Sequence, residues 1–194
     1  MDCFSGFDLY FPMGLEHILD PNGYDHILFV VALAVMYQLK EWKRVLILVT
    51  AFTIGHSITL ALSALNIYTI DQEIAEFWIP ITILVTALIN VFFSLRDKEL
   101  KQSHTFSYLL ALLFGFIHGM GFSYLFRAMS AKEACLTGPL LYFNLGIEAG
   151  QLVIVGVVLI LTFVLVNWIK LPHRIWKLVI SAIIAVLAVM LMLG

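Results

Sequence analysis

Two kinds of metal-binding side chain, imidazoles and carboxylates, recur inside the apolar segments of this 194-residue chain. Ionisable groups are costly within a bilayer and face the interior of a helix bundle, where they mark functional sites. Neutral imidazole nitrogen and carboxylate oxygen together suit Ni²⁺, Co²⁺, Zn²⁺, Cu²⁺ and Fe²⁺, whereas Mg²⁺ and Ca²⁺ prefer oxygen ligands alone. We therefore predict a site for a divalent transition metal, with the candidate ligands His17, Asp25, His26, His56, His118 and Glu148.

Small and polar residues surround these candidate ligands. His118 and Glu148 each lie within a GxxxG motif, which lets two helices approach closely enough for their side chains to share an ion. Such motifs are common in membrane bundles, so they are weak indicators by themselves. Amides and hydroxyls in the same stretches are candidates to orient the ligands from a second layer: Thr53, Ser57, Asn144 and Gln151.

The composition determines the kind of element that positions these residues. Hydrophobic residues make up 62% of the chain and charged residues 12%, and the mean hydropathy is +1.00. A soluble domain carries about 25% charged residues, so the composition excludes a cytosolic globular domain, a disordered tail and a nucleic-acid binder. We expect an all-α polytopic membrane bundle that forms one transmembrane domain over residues 1–194 and has the lipid bilayer as its main partner.

Six apolar runs are long enough, or nearly so, to cross a bilayer. They lie at about 24–39, 45–66, 74–95, 106–129, 139–169 and 175–193. The first is short, and the turn Asp20-Pro21-Asn22-Gly23 separates it from an apolar segment, 11–20, that we expect to lie in the interface or to dip into the bilayer. These bounds put His56 and His118 near the midplane, and Asp25 and His26 near the outer end of the first span.

The charged residues predict the orientation of the bundle. Nine of the eleven lysines and arginines follow the first, third and fifth spans. The positive-inside rule places those loops in the cytoplasm, so both termini are expected on the extracytoplasmic side. No basic segment precedes an apolar one at the N-terminus, and we expect no cleaved signal peptide. The opposite side is rich in acidic residues, which would concentrate cations there.

Four stretches that contain the candidate ligands carry a resemblance to a known family. They are His17-Ile-Leu-Asp-Pro-Asn-Gly-Tyr-Asp25-His26, Thr53-Ile-Gly-His56-Ser57, Gly115-Phe-Ile-His118-Gly119 and Asn144-Leu-Gly-Ile-Glu148-Ala-Gly-Gln151. In them the chain resembles the second, shorter-tailed branch of the HupE/UreJ family, over about residues 14–155. The resemblance implies a bacterial inner-membrane protein, associated with hydrogenase and urease gene clusters, that takes up nickel or cobalt. It departs from the type members at His17, which is not followed directly by proline.

Three functions could use such a site, and we expect a secondary permease. The sequence has no GxxxxGK[ST] or GxGxxG motif, so transport would run on a gradient or on a partner subunit. An intramembrane zinc-dependent hydrolase would need an open coordination position, and a metal-binding sensor or accessory protein is the third possibility. A homo-oligomer is compatible with any of these. Few polar groups lead from the histidine level to the cytoplasm: Thr50, Thr82, Thr86, Asn90, Ser107 and Thr162.

Overall fold

The apolar runs fold as helices, because in lipid every backbone polar group must be hydrogen-bonded within its own segment. The computed structural model describes residues 3–68, 71–96, 103–131, 133 and 135–193. Across those ranges it contains no strand, and five helices, α3 to α7, are long and apolar enough to cross a membrane. The helices are α1 Phe7–Leu19, α2 Asp25–Ala34, α3 Trp42–Ala64, α4 Gln72–Leu95, α5 His104–Ser130, α6 Thr137–Phe163 and α7 His173–Leu193. The predicted all-α membrane bundle is confirmed.

Two short elements complete the chain path. A 3₁₀ turn, Leu39–Glu41, leads into α3, and α6 continues through a π-helical turn, Val164–Trp168. The sequence bounds for the last five spans agree with α3 to α7 to within a few residues at most ends. The fifth predicted span, 139–169, includes both α6 and the π-helical turn.

The bundle has two chemically different ends. At one end, called the basic end, the Arg174 guanidinium donates to the carbonyls of Ser94 and Leu95 at 2.6 and 2.7 Å, so α7 begins where α4 ends. At the other, called the acidic end, a disulfide joins Cys3 to Cys135. Six charged residues that enter the predicted charge asymmetry lie outside the described part of the chain: Asp2, Asp97, Lys98, Glu99, Lys101 and Lys132.

The first crossing is a broken helix, which differs from the uninterrupted span expected at 24–39. α1 and α2 have 13 and 10 residues, or about 20 and 15 Å at 1.5 Å per residue, so neither alone crosses a hydrocarbon core of about 30 Å. The break has a local cause. Pro21 cannot continue the hydrogen-bond ladder of α1, and the Asn22 N–H bonds instead to the Asp20 carboxylate at 2.8 Å.

The two half-helices follow one another from the acidic end to the basic end. α1 packs along the first half of α6, where Gly14 touches the Phe143 carbonyl and Gly150 touches Ile18. α2 continues towards the basic end, where the Val35 carbonyl accepts from His173 Nε2 at 3.3 Å. The segment expected to dip into the bilayer corresponds to α1, and the break after it, whose residues Asp20, Pro21 and Asn22 are exposed, lies level with the middle of α3 and α5.

Glycines bring α3 and α5 into direct backbone contact. A Cβ on Gly55 would meet the Leu112 carbonyl, and one on Gly115 would meet the Phe52 carbonyl. Small residues at such a crossing let two backbones approach closely. This crossing lies beside His56 and His118, so it sets the distance between the helices that carry these two rings.

Candidate metal centre

Four histidines from four different helices meet in the interior of the bundle. The ring centroids of His17 and His26 are 4.5 Å apart, and those of His26 and His118 are 5.0 Å apart. The His56 ring lies 5.9 Å from that of His17 and 6.1 Å from that of His26. Since α1, α2, α3 and α5 supply one ring each, the cluster exists only when the whole bundle is assembled.

The break in the first crossing explains how His26 reaches this cluster. The sequence bounds put Asp25 and His26 near the outer end of an uninterrupted span, and that depth is corrected by the structure. Because α1 occupies the outer half of the crossing, α2 begins at Asp25 at the depth of the midpoints of α3 and α5. One discontinuous helix thereby supplies His17 from its first half, and Asp25 and His26 from its second.

Among the described residues, the ligand atoms form two overlapping groups of three. One group is His17, His26 and His56, and the other is Asp25, His26 and His118. In each group, one possible ligand atom per residue lies within 4.8 Å of those of the other two. His26 belongs to both groups, and the four imidazoles are accompanied by one carboxylate, that of Asp25.

Three of the histidines are buried, His17 is half-buried, and all four have ring nitrogens that lack hydrogen-bond partners. His56 and His118 are 0% exposed and His26 is 4% exposed. The buried nitrogens without a protein partner are Nε2 of His17, Nε2 of His26, both nitrogens of His56 and Nδ1 of His118. Buried polar atoms are nearly always hydrogen-bonded, so several unsatisfied atoms in one place need a cause. A bound cation would satisfy one nitrogen of a ring that it contacts, because a neutral imidazole has one lone-pair nitrogen.

Hydrogen bonds to the opposite nitrogen fix the tautomers of two of these rings. The Asp25 carboxylate only accepts, so the bond of 3.0 Å from His26 Nδ1 places the proton on Nδ1 and leaves the lone pair on Nε2. The Thr82 hydroxyl donates to the Ile79 carbonyl at 2.7 Å, so it accepts from His118 Nε2 at 2.9 Å. The His118 lone pair is then on Nδ1. Metal-ligating histidines typically have such a partner on their second nitrogen.

Glu148 lies outside both groups of three. It is half-buried, and its carboxylate accepts a hydrogen bond from the Thr50 hydroxyl at 2.5 Å. One turn along α6, the side-chain oxygen of Gln151 accepts from the Thr53 hydroxyl at 2.9 Å. The two pairs connect α6 to α3, so their position in the structure is that of a polar link between helices next to the histidine cluster.

The other two candidates for a second layer bond within their own helices. The Ser57 hydroxyl donates to the Thr53 carbonyl at 2.6 Å, and the Asn144 amide donates to the Leu140 carbonyl at 2.7 Å. The partners that the structure gives the histidines are Thr82 for His118 and the neighbouring Asp25, itself a predicted ligand, for His26. The sequence predicts Thr82 only as a polar group towards the cytoplasm, because its pairing with His118 depends on the long-range packing of α4 against α5.

Aromatic rings enclose the cluster. His17 packs against Phe122 in a tilted arrangement with the ring centroids 4.1 Å apart, and the His118 ring lies 4.9 Å from that of Phe29 and 5.2 Å from that of Phe52. These rings lower the local dielectric constant around the buried imidazoles of His26, His56 and His118. In such surroundings the attraction between a cation and the single Asp25 carboxylate is strengthened.

Comparisons with known proteins agree with this architecture. The family described as "HupE / UreJ protein" matches residues 3–194. The chain is similar to the urease accessory protein UreH of Bacillus sp. (strain TB-90), with 27% identity over 176 residues, which cover 78% of this chain and 75% of that protein. No solved structure matches the chain at a significant level.

Proposed function

The chain belongs to the HupE/UreJ family, and from this premise we propose that it is a secondary permease for a divalent transition metal, with nickel the first candidate and cobalt the second. Family membership and the relative named as a urease accessory protein indicate a nickel-related role. The observation that carries the proposal is the convergence of four histidines, three of them buried, whose ligand atoms lie close together and include nitrogens without a hydrogen-bond partner. Nitrogen-rich ligand sets of this kind suit Ni²⁺ and Co²⁺.

The overlap of the two ligand groups supports transport rather than permanent retention. A structural metal site is typically closed by four protein ligands, whereas each group here offers three. In our proposal an ion binds first to His17, His26 and His56, and then passes to the group that contains Asp25. His26 holds the ion throughout the transfer, and the carboxylate adds a negative charge to the second position. Glu148 remains a predicted ligand, and in this structure one of its carboxylate oxygens accepts the hydrogen bond from Thr50.

Two independent features support movement from the acidic end to the basic end. The positive-inside rule assigns the loops rich in lysine and arginine to the cytoplasm. The Cys3–Cys135 disulfide lies at the acidic end, and disulfides persist in oxidising compartments outside the cytosol. We therefore propose that the metal is taken up from the extracytoplasmic side, through an inner membrane in which both termini face outward.

Uptake into proteoliposomes tests this function. The purified protein is reconstituted into vesicles that contain a metal-sensitive dye, and Ni²⁺ is added outside. We expect uptake by the natural protein, loss of uptake in His56→Ala, and normal uptake in the matched control His104→Ala, because His104 begins α5 at the basic end, away from the cluster. No uptake by the natural protein, together with a stoichiometric metal that resists chelation, would instead favour the intramembrane hydrolase.

A further inference from the structure

A ladder of buried polar side chains leads from the histidine cluster towards the basic end. Thr82, Thr86, Asn90 and Ser94 follow one another on α4 at intervals of four, which places them on one face of the helix. They are 2%, 7%, 3% and 1% exposed. At 1.5 Å per residue the ladder is about 18 Å long. Polar groups buried inside a membrane bundle often mark ion pathways.

The first residue of the ladder, Thr82, contacts the histidine cluster directly. Thr82 accepts the hydrogen bond from His118 described above, and the Thr86 hydroxyl donates to the Thr82 carbonyl at 2.8 Å. Since the Thr86 proton is bonded within its own helix, the oxygen keeps lone pairs that can face a cation. The chemistry of the ladder therefore suits a positive ion rather than an anion.

Space and an unsatisfied atom accompany the ladder. A cavity of about 30 Å³ lies beside Thr86 and Asn90, and its wall includes Tyr37 and Ser107. That volume holds one or two water molecules. Further on, the Ser94 hydroxyl oxygen is buried and has no hydrogen-bond partner among the described residues. The wall of the cavity is mostly apolar, but its polar members include Thr86 and Asn90 of the ladder. The unsatisfied Ser94 oxygen is a second observation, independent of the spacing on α4, that a packed apolar core would not explain.

In this structure, contacts from α2 and α7 to α4 block the route along the ladder. The Asn90 amide donates to the Ala32 carbonyl at 2.7 Å, so it ties α4 to the second half of the broken helix. At the basic end, Arg174 bonds to the last carbonyls of α4. We propose that Thr82, Thr86, Asn90 and Ser94 form the release path of the divalent ion from the histidine cluster to the basic end, an inference that rests on the proposed permease function. α2 and α7 must separate from α4 for the path to open.

A pair of matched hydroxyl deletions tests the release path. Thr86→Val and Ser130→Ala each remove a buried hydroxyl that donates back into its own helix, but Ser130 ends α5 at the acidic end, away from the ladder. We expect Thr86→Val to slow Ni²⁺ uptake about tenfold or more, because a contact to a charged group is lost, while the dissociation constant for Ni²⁺ is unchanged. Ser130→Ala should transport at the natural rate.

The outcomes separate the two proposals. Uptake at the natural rate in both Thr86→Val and Asn90→Leu would overturn the release path but leave the permease intact. No uptake by the natural protein would overturn the permease and the path with it. Should Thr86→Val fail to fold, Ser94→Cys provides a second test, because both natural cysteines are in the disulfide. Its thiol should react with a small cationic reagent faster during turnover than at rest, and equal rates would contradict the path.

Discussion

A single added methyl group on α5 should separate two of the histidines. A Cβ on Gly119 would lie 2.7 Å from the His56 carbonyl oxygen and 3.0 Å from the His56 Cα. Carbon atoms in favourable contact are about 3.5 to 4.0 Å apart, so Gly119→Ala forces α3 and α5 apart by about 0.5 Å. The displaced segments carry His56 and His118, whose rings are fully buried and have little room to compensate.

The expected effect is large because metal coordination tolerates little displacement. Metal–ligand distances vary by only about 0.2 Å in working sites, so a shift of about 0.5 Å weakens at least one ligand bond. Displacement of supporting residues typically lowers metal affinity about tenfold to a hundredfold, and we expect a loss in that range. Helix propensity has the opposite effect on the stability of α5, because alanine favours a helix over glycine by about 1 kcal/mol.

Isothermal titration of purified protein with Ni²⁺ measures this loss. The matched control is Gly156→Ala on α6, since a Cβ there meets no atom within 4 Å. We expect Gly156→Ala to bind Ni²⁺ with the natural affinity and Gly119→Ala to bind it more weakly. If Gly119→Ala folds and binds Ni²⁺ as tightly as the natural protein, the close packing of α3 and α5 does not set the geometry of the site, and the reasoning fails.

Three further changes test separate parts of the account. Asp25→Asn weakens the group that fixes the His26 tautomer, so Ni²⁺ affinity should fall about tenfold to a hundredfold by titration, whereas Asp71→Asn at the acidic end should leave it unchanged. Cys3→Ser should make the Cys135 thiol reactive to a maleimide without prior reduction. It should also lower the unfolding temperature, because the lost disulfide links residues 132 positions apart. A thiol that reacts in the unreduced natural protein would contradict the disulfide. Glu148→Gln should weaken Ni²⁺ binding less than His56→Ala does, and an equal loss would place Glu148 among the ligands.

Hydrophobic runs and charge patterns were sufficient to predict the class of fold. Long apolar segments become helices in any bilayer, so the bounds of α3 to α7 followed from composition. The depth of the break between α1 and α2 did not follow from composition. Asp20-Pro21-Asn22-Gly23 predicts a turn wherever it lies, and only the packing of the helices shows that this exposed turn lies level with the middle of α3 and α5.

The candidate site could be predicted in its residue types but not in its contacts. Histidines inside apolar segments are rare enough to be selected by sequence alone, and the four that were selected meet in the structure. The partners of these rings come from helices far away in the chain. Thr82 is 36 positions from His118, and Thr50 is 98 positions from Glu148. No local pattern encodes such pairs, because they depend on which helices pack together.

X-ray absorption spectroscopy of the nickel-loaded protein tests the central claim most directly, since it counts the imidazole nitrogens around the metal. The account predicts at least three imidazoles per bound Ni²⁺, as in the group His17, His26 and His56, and a lower count in His26→Ala because His26 belongs to both groups. A spectrum with oxygen ligands only, unchanged by His26→Ala, would contradict the claim that these helices assemble a shared metal site.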